Sequence, residues 1–539
     1  MTSVVAYVAL GVYTLALFYI TVYCLMQFNL LYHYKKLKRK EAEDQAAGHA
    51  APDEWQHYAR ARAVAAGATQ PQANQPGGAG LDIALADEED AAQAYPFVTI
   101  QLPIYNEMYV VERLIDCIAA FDYPRDRFEI HVLDDSTDET VEITRLKVEE
   151  HKARGLQIEQ IRREKRQGYK AGALRDAMQY AKGEFIAIFD ADFLPHPDFL
   201  KKTIPYFENP AVGVVQTRWE HINEDYSIIT RLQALQLNVH FTVEQVGRMA
   251  GNFMLQFNGT AGVWRRKTIE DAGGWEADTL TEDFDLSIRA QLKGWRIQYL
   301  EEIGSPAELP AEMNSLKSQQ FRWMKGGAET AKKMLPTVWR SNLAPWQKIQ
   351  ATVHLLSSTI FVFVLLTALF SVPLLFSLGE LIEMGFSKNF FAYFLLGLLS
   401  IIAVYYVANV QAPVHQDEPF QKSLWRFIAL FPLFLALSMG LALHNTIAVI
   451  EGYRGKKSPF VRTPKFNIKN LSDSFSRRKY LSKELSWTTI FEGVLALYFI
   501  GAVIGAFVVQ NTTFLIFHLM LALGYGTIFW FTLRHLRLR

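Results

Sequence analysis

Apolar positions along this chain follow two regimes. Toward both ends they form long, nearly uninterrupted runs; in the middle they come in short bursts separated by polar stretches of helical period. The first long run covers residues 4–31 and is almost free of charge. At ~1.5 Å per residue it is long enough to cross a hydrocarbon core of ~30 Å. Further runs lie near 353–378, 389–410, 426–450, 487–510 and 513–533. The short bursts, at 97–102, 128–133, 185–189 and 212–216, alternate with helical stretches at roughly 108–120, 138–154, 170–181 and 197–208. That alternation predicts a mixed, mostly parallel α/β sheet with its site at the carboxyl ends of the strands. Residues 41–95, rich in Ala, Gln, Gly, Pro and acids without sustained period, read as a disordered linker, with 54–66 transiently helical.

Charge then orients the spans. The first run has neither the basic start nor the short apolar core of a signal peptide, and it ends in His33-Tyr34-Lys35-Lys36-Leu37-Lys38-Arg39-Lys40. Cationic flanks stay in the cytosol, so the N-terminus is expected outside and the α/β region inside. The segment 451–486, with Arg454, Lys456, Lys457, Arg462, Lys465, Lys469, Arg477, Arg478, Lys479 and Lys483, is expected on the same side, as is the tail with Arg534, Arg537 and Arg539. An even number of crossings must then separate the α/β region from residue 451, yet three runs lie there. The run 426–450, broken by Pro432 and holding His444 and Asn445, fits an interfacial or re-entrant helix. The alternative is that all three cross and the basic loop faces outward. A second interfacial helix is expected from Trp339 to Gln350.

The expected organisation is therefore about five spans and two surface helices around one soluble domain. Its segments are a spanning helix with basic flank (1–40), the linker (41–95), an α/β domain (96–335) and an interfacial helix (336–352). Two spans (353–425), the interfacial or re-entrant segment (426–450), a basic loop (451–486) and two spans with a basic tail (487–539) follow. In 539 residues Lys+Arg and Asp+Glu both number 55, so charge implies no nucleic-acid partner. Two cysteines, Cys24 and Cys117, exclude a disulfide framework and a Cys-rich zinc site. No G-x-G-x-x-G or Walker A pattern opens a helix, which leaves a dinucleotide or P-loop reading weak.

The chemistry sits where the bursts end. The burst 185–189 runs into Asp190-Ala191-Asp192, and residues two apart on an extended chain point the same way. Two convergent carboxylates suit Mg2+ or Mn2+ sharing its other ligands with a diphosphate and water; a turn with solvated acids is the alternative. The burst 128–133 likewise ends in Asp134-Asp135-Ser136 and Asp138, placed to hold a base or ribose, although Asp138 also suits a helix cap. Tyr105 and Glu107 offer an aromatic face and a carboxyl at the same edge. Lys170 stands in the first turn of a helix, where terminus and ammonium both favour a diphosphate; alone it is equally a surface lysine. Thr281-Glu282-Asp283 reads either as an N-cap with acids in the first turn or as a catalytic pair, Asp283 being the general base. Gln319, Arg322 and Trp323, with Lys325 behind, combine cations for a departing diphosphate with an indole face for a sugar ring; a basic helix resting on lipid is the alternative.

In this order, Val132-Leu-Asp-Asp-Ser-Thr-Asp138, Gly168-Tyr-Lys-Ala-Gly-Ala-Leu174, Phe189-Asp-Ala-Asp-Phe193 and Phe257-Asn-Gly-Thr-Ala-Gly-Val-Trp-Arg265, followed by the Gln319-to-Trp323 segment, resemble glycosyltransferase family 2. The likeness is to its processive, cellulose synthase-like membrane enzymes, above all the plant A and C types that make mannan or glucan backbones, and runs from about Val98 to Lys465. The resemblance implies a GT-A domain and inverting transfer. By it, Tyr105 and Asp135 contact the nucleobase, Asp190 and Asp192 hold ribose and metal, and Asp283 deprotonates the acceptor. Gln319, Arg322 and Trp323 line the diphosphate and acceptor sites. Phe460-Val-Arg-Thr463-Pro-Lys465 resembles the gating loop F-x-V-T-x-K, with Arg462 where Val is usual.

The expected activity is polymerisation of sugar from UDP-glucose or GDP-mannose into a β-linked polysaccharide, with translocation. The acceptor is the growing chain, lipids surround the spans, and the membrane is a bacterial inner membrane or plasma membrane. The alternative enzyme adds one sugar to a membrane lipid. A transporter with a regulatory domain would carry charges inside its spans, and apart from Glu492 there are essentially none.

Overall fold

The computed structural model describes residues 2–46, 95–387, 389–412, 418–458, 461–468, 473, 475, 479–480 and 485–536. Seven strands form one sheet: β1 (Val98–Ile104), β2 (Phe128–Asp134), β3 (Ile158–Ile161), β4 (Phe185–Ile188), β5 (Val212–His221), β6 (Gly262–Arg265) and β7 (Arg296–Ala307). Their order is β3-β2-β1-β4-β6-β5-β7. Only the short β6 runs against its neighbours β4 and β5; every other pairing is parallel. All four expected bursts are strands. β3, β6 and β7 were not anticipated.

Apolar side chains cover both faces of this sheet, which is why the bursts read as continuous runs instead of alternating ones. On β4, Phe185 and Ala187 join Val98, Ile100 and Ile130 beneath the helix Val111–Ala119, while Ile186 and Ile188 face Leu174, Val214 and Trp264. Fully burying each such large side chain is worth ~1.5–3 kcal/mol. The expected helices appear as Val111–Ala119, Thr140–Ala153 and Tyr169–Ala177; the fourth is a short helix, Phe199–Thr203, passing into the 3-10 turn Ile204–Glu208 with Pro205 at its start.

Six helices among the described residues are long and apolar enough to cross a membrane, and the chain is a membrane protein: Val4–Asp44, Ser357–Glu383, Phe390–Gln411, Phe420–Gly440, Trp487–Val508 and Leu515–Leu536. The span Phe420–Gly440 covers most of the segment expected to be interfacial. A break at Leu441 separates it from Ala442–Arg454, which packs on the soluble domain's long helix Met313–Arg340. By length and composition this gives one more candidate than the parity argument uses. The first helix, Thr2–Ala46, continues through its basic flank and six residues into the expected linker; 47–94 lie outside the described residues. Lys38 meets Glu301 of β7 at 2.8 Å, so this flank docks on the sheet. The expected helix from Trp339 to Gln350 is instead split. Met313–Arg340 carries Pro336 internally and ends near Trp339, and Pro345–Leu355 starts afresh with Pro at its first position.

Small residues set how closely the spans approach. A Cβ built on Gly524 of Leu515–Leu536 falls 1.9 Å from the Ala436 carbonyl oxygen of Phe420–Gly440, whereas one on Gly526 meets nothing within 4 Å. Backbone contact at Gly524 thus holds these two spans together. Gly524→Val is expected to cost ~1–3 kcal/mol through overpacking and to lower the unfolding temperature of the detergent-solubilised protein. Gly526→Val should leave it unchanged, and equal effects would refute the close approach.

Candidate active site

Three strands deliver acids to one cleft. β1 runs into Tyr105 and then Asn106, whose φ of 56° turns the chain, and Glu107 follows in the cleft lining. Asp135 follows β2, its amide donating to the Ile104 carbonyl at 3.0 Å. Beyond β4, the Asp190 amide donates to Thr260 Oγ1 at 2.8 Å, and Asp192 lies two residues on. Asp283 stands in the first turn of the helix Glu282–Leu292. Thr281 is the N-cap of that helix, yet its hydroxyl makes no capping bond and pairs with Thr330 Oγ1 at 3.0 Å, so capping does not account for this triplet. Gly259 (φ 80°) lets backbone pass between: a Cβ there would sit 3.0 Å from Asp283 Oδ2.

One cleft is lined by Tyr105, Glu107, Asp135, Lys170, Asp190, Asp192, Glu282, Asp283, Gln319, Arg322, Trp323, Thr463 and Lys465, all of them candidates from the sequence. It is open to solvent on one side, and its lining combines charged groups with the apolar face of Trp323. Seven carboxylates and five Lys or Arg side chains line it.

Counter-charges take up the acids in pairs. Lys170 Nζ donates to Asp190 Oδ1 at 2.5 Å and to the Gly259 carbonyl at 2.8 Å. Lys465 Nζ donates to Asp192 Oδ2 at 2.5 Å and also to the Glu308 carbonyl. Arg462 meets Glu107 at 2.8 Å, and Arg322 donates to Thr463 Oγ1 at 2.7 Å. Burial raises the pKa of Glu107 to about 7 even though Arg462 pulls it down. Burial also raises Asp190 against the Lys170 charge. Asp283 is raised first by burial and then by the Glu282 charge, and Glu282 is raised by burial. Buried, like-charged neighbours are how proteins tune a carboxylate toward proton transfer near neutrality.

Several side chains differ from their expected roles. Lys325 is fully buried away from the cleft with Glu451 and Ser458, so it does not stand behind Arg322 as a diphosphate ligand. Asp138 accepts from the Thr140 amide at 3.0 Å and from the Tyr480 hydroxyl, outside the cleft lining. Asp134 is buried, bonded to the Ser136 amide and Gln160. Phe460 of the basic loop lies outside the described residues. The sequence reading missed Arg163, whose guanidinium grips Asp135 at 3.0 and 2.5 Å, and Arg166, whose guanidinium lies 3.3 Å from the Tyr105 ring centroid. The basic run Arg162-Arg163-Glu164-Lys165-Arg166 before Gly168 was the available signal.

A mixed sheet with paired acids at the carboxyl ends of β2 and β4, and a carboxylate at a helix start across the cleft, defines a GT-A domain. Residues 96–326 match the family described as Glycosyltransferase like family 2, and the chain carries a glycosyltransferase family 2 domain. Among curated proteins it is similar to a probable glucomannan 4-beta-mannosyltransferase 4 of Oryza sativa subsp. japonica, 42% identical over 292 residues, 53% of this chain and 52% of that one. It is also similar to glucomannan 4-beta-mannosyltransferase 7 of Arabidopsis thaliana, 41% identical over 268 residues, 49% and 48% of the two chains. The chain spans about half the length of these relatives. The solved structure of a mannosyltransferase from Pyrobaculum calidifontis with GDP-Man and Mn2+ superposes with a TM-score of 0.44 at 21% identity, over 67% of this chain and 88% of that one.

Lys170→Met removes the cation paired with Asp190 from the diphosphate's expected seat. Calorimetry should show nucleoside diphosphate bound about tenfold more weakly or worse, ~1.4 kcal/mol. Undiminished binding would take Lys170 out of the site.

Proposed function

We propose that this chain is a membrane-bound, inverting glycosyltransferase that builds a β-linked polysaccharide from a nucleotide-activated hexose. The observation that carries this reading is the convergence of Asp135, Lys170, Asp190, Asp192, Asp283, Arg322 and Trp323 on one cleft. The names of the curated relatives favour a mannosyl donor over a glucosyl one. The cationic flanks of the spans support a cytosolic catalytic domain.

Tyr105 offers the nucleobase a ring face and Asp135 a carboxylate. Lys170 and Arg322 bind the diphosphate and neutralise it as it leaves. Asp190 and Asp192 suit a hard divalent ion. Each spends one oxygen on a lysine and leaves the other without a hydrogen bond from the described residues, and the cleft has more carboxylates than cations. A bound Mg2+ or Mn2+ adds Lewis-acid stabilisation of the leaving diphosphate. Trp323 gives the acceptor sugar an apolar face, and Asp283 takes the proton from its attacking hydroxyl while Glu282 keeps Asp283 basic. Attack from the face opposite the leaving group turns an α-linked donor into a β-glycoside.

Purified protein with radiolabelled GDP-mannose or UDP-glucose is expected to yield a polymer ladder that disappears on chelation and returns with Mg2+ or Mn2+. A single lipid glycoside would refute polymerisation, and transfer indifferent to chelation would remove the metal. Asp283→Asn should lower transfer by ~10²–10⁴-fold with nucleotide binding kept; substantial residual turnover would take Asp283 out of the base role. Asp283 works deprotonated and its pKa is raised, so activity should be present above the raised value and be lost as pH falls through it. A wild-type acid limb at the ordinary carboxylate value of ~4 would contradict that assignment.

A further inference from the structure

Glu492 is the one charged residue of the span Trp487–Val508, and nothing in the transfer chemistry uses it. Its side chain is fully buried and meets Lys317 Nζ at 2.8 Å, with Thr489 Oγ1 accepting from the same ammonium at 3.3 Å. Lys317, also buried, belongs to the helix Met313–Arg340, which carries Gln319, Arg322 and Trp323 into the cleft. With 3.6 residues per turn, those three share one face and Lys317 points from the opposite one. The backbone of Lys317 is held as well: His444 Nε2, on Ala442–Arg454, donates to its carbonyl at 2.9 Å. One turn earlier the Met313 amide donates to His535 Nδ1 of Leu515–Leu536 at 3.0 Å. Three membrane-side helices thus grip the first turns of the helix that forms one wall of the cleft.

We propose that Lys317 and Glu492 are positioning residues: their ion pair fixes the depth and rotation of Gln319, Arg322 and Trp323 relative to the membrane spans, and so aligns the acceptor with the donor. This rests on the proposed roles of those three side chains. Stability alone does not explain the pair. The second Glu492 oxygen is buried without a hydrogen bond among the described residues, and an apolar pair of similar volume would hold the helices at no loss. A charged pair fixes distance and direction, which apolar packing does not. An ionisable side chain inside a span is retained where it has a task.

The test compares full-length wild type, Glu492→Gln, Lys317→Met, the double variant and Lys317→Arg in lipid nanodiscs. Donor hydrolysis to water reads the donor side alone, and product length reads acceptor alignment. Each single variant is expected to lose polymerisation by about tenfold or more while its KM for donor in hydrolysis moves less than about twofold. The double variant should lose no more than either single one, and Lys317→Arg should stay within about threefold of wild type. Hydrolysis falling in step with polymerisation, additive losses, or unchanged products would overturn the proposal. Wild type that transfers sugar from neither donor would instead sink the functional reading. Hydroxyl-radical footprinting judges the pair without turnover: oxidation of Trp323 should change several-fold in Glu492→Gln while that of the buried Trp264 stays constant. Identical footprints would also overturn it.

Discussion

Carboxylates gathered in one low-dielectric cleft can stay charged only where cations stand beside them. That requirement governs the site and much of the chain around it. The α/β domain supplies Asp135, Asp190, Asp192, Glu282 and Asp283 but only part of the counter-charge, chiefly Lys170, Arg163 and Arg166. Arg462 and Lys465 come from the segment after Ala442–Arg454, and Arg322 from the long helix packed against it. The soluble domain's site is therefore balanced in part, through Arg462 and Lys465, by chain that follows the span Phe420–Gly440. At Asp283, burial and the neighbouring Glu282 charge raise the pKa to about 7.

The same logic gives the segment 461–468 a defined place. Arg462 on Glu107, Thr463 on Arg322, Lys465 on Asp192, and the Phe466 amide on Glu308 at 2.8 Å bind it across the cleft mouth. Two of these contacts, on Arg322 and Asp192, use groups that the proposed donor site also uses. A nucleotide diphosphate and its ion would compete with the segment for Asp192 and Arg322. On the proposed reading, donor entry would require Lys465 to give up Asp192. Arg462, the departure from the gating-loop pattern, sits in an ion pair and lies 4.0 Å from the Tyr480 ring centroid, which gives the substitution a partner on each side.

The parts legible in the sequence were those whose signal is local. β1, β2, β4 and β5 announce themselves as apolar bursts, and the acids that follow them needed only the rule that sites lie at strand ends. β7 escaped because Arg296–Ala307 contains Glu301, Glu302, Gly304 and Pro306; its pairing with β5 shifts register between Thr217 and Arg218, and the bulge absorbs residues that break the pattern. β6, four residues opened by Gly262, is too short to carry a period. Pro336 hid the continuity of Met313–Arg340, since a helix interior ordinarily excludes proline. Lys325 was misplaced because spacing puts it near Arg322 in sequence while the helix turns it toward Glu451. Pairings such as Arg163 with Asp135 or Arg462 with Glu107 join distant segments, and no local pattern encodes them.

Glu492 shows how the two halves of the molecule constrain one another. Spans at backbone distance, as Gly524 and Ala436 are, have little room to shift against one another. Spans so packed are a useful reference only if the catalytic wall is tied to them by something directional. Lys317, gripped at its side chain by one span and at its carbonyl by a neighbouring helix, supplies that tie on the face of Met313–Arg340 opposite Arg322 and Trp323. By the proposed positioning role, a shift of that span would reach the cleft through this helix. On the proposed reading, in which product advances one sugar at a time past the donor, a directional link between acceptor wall and membrane bundle would keep the two in register.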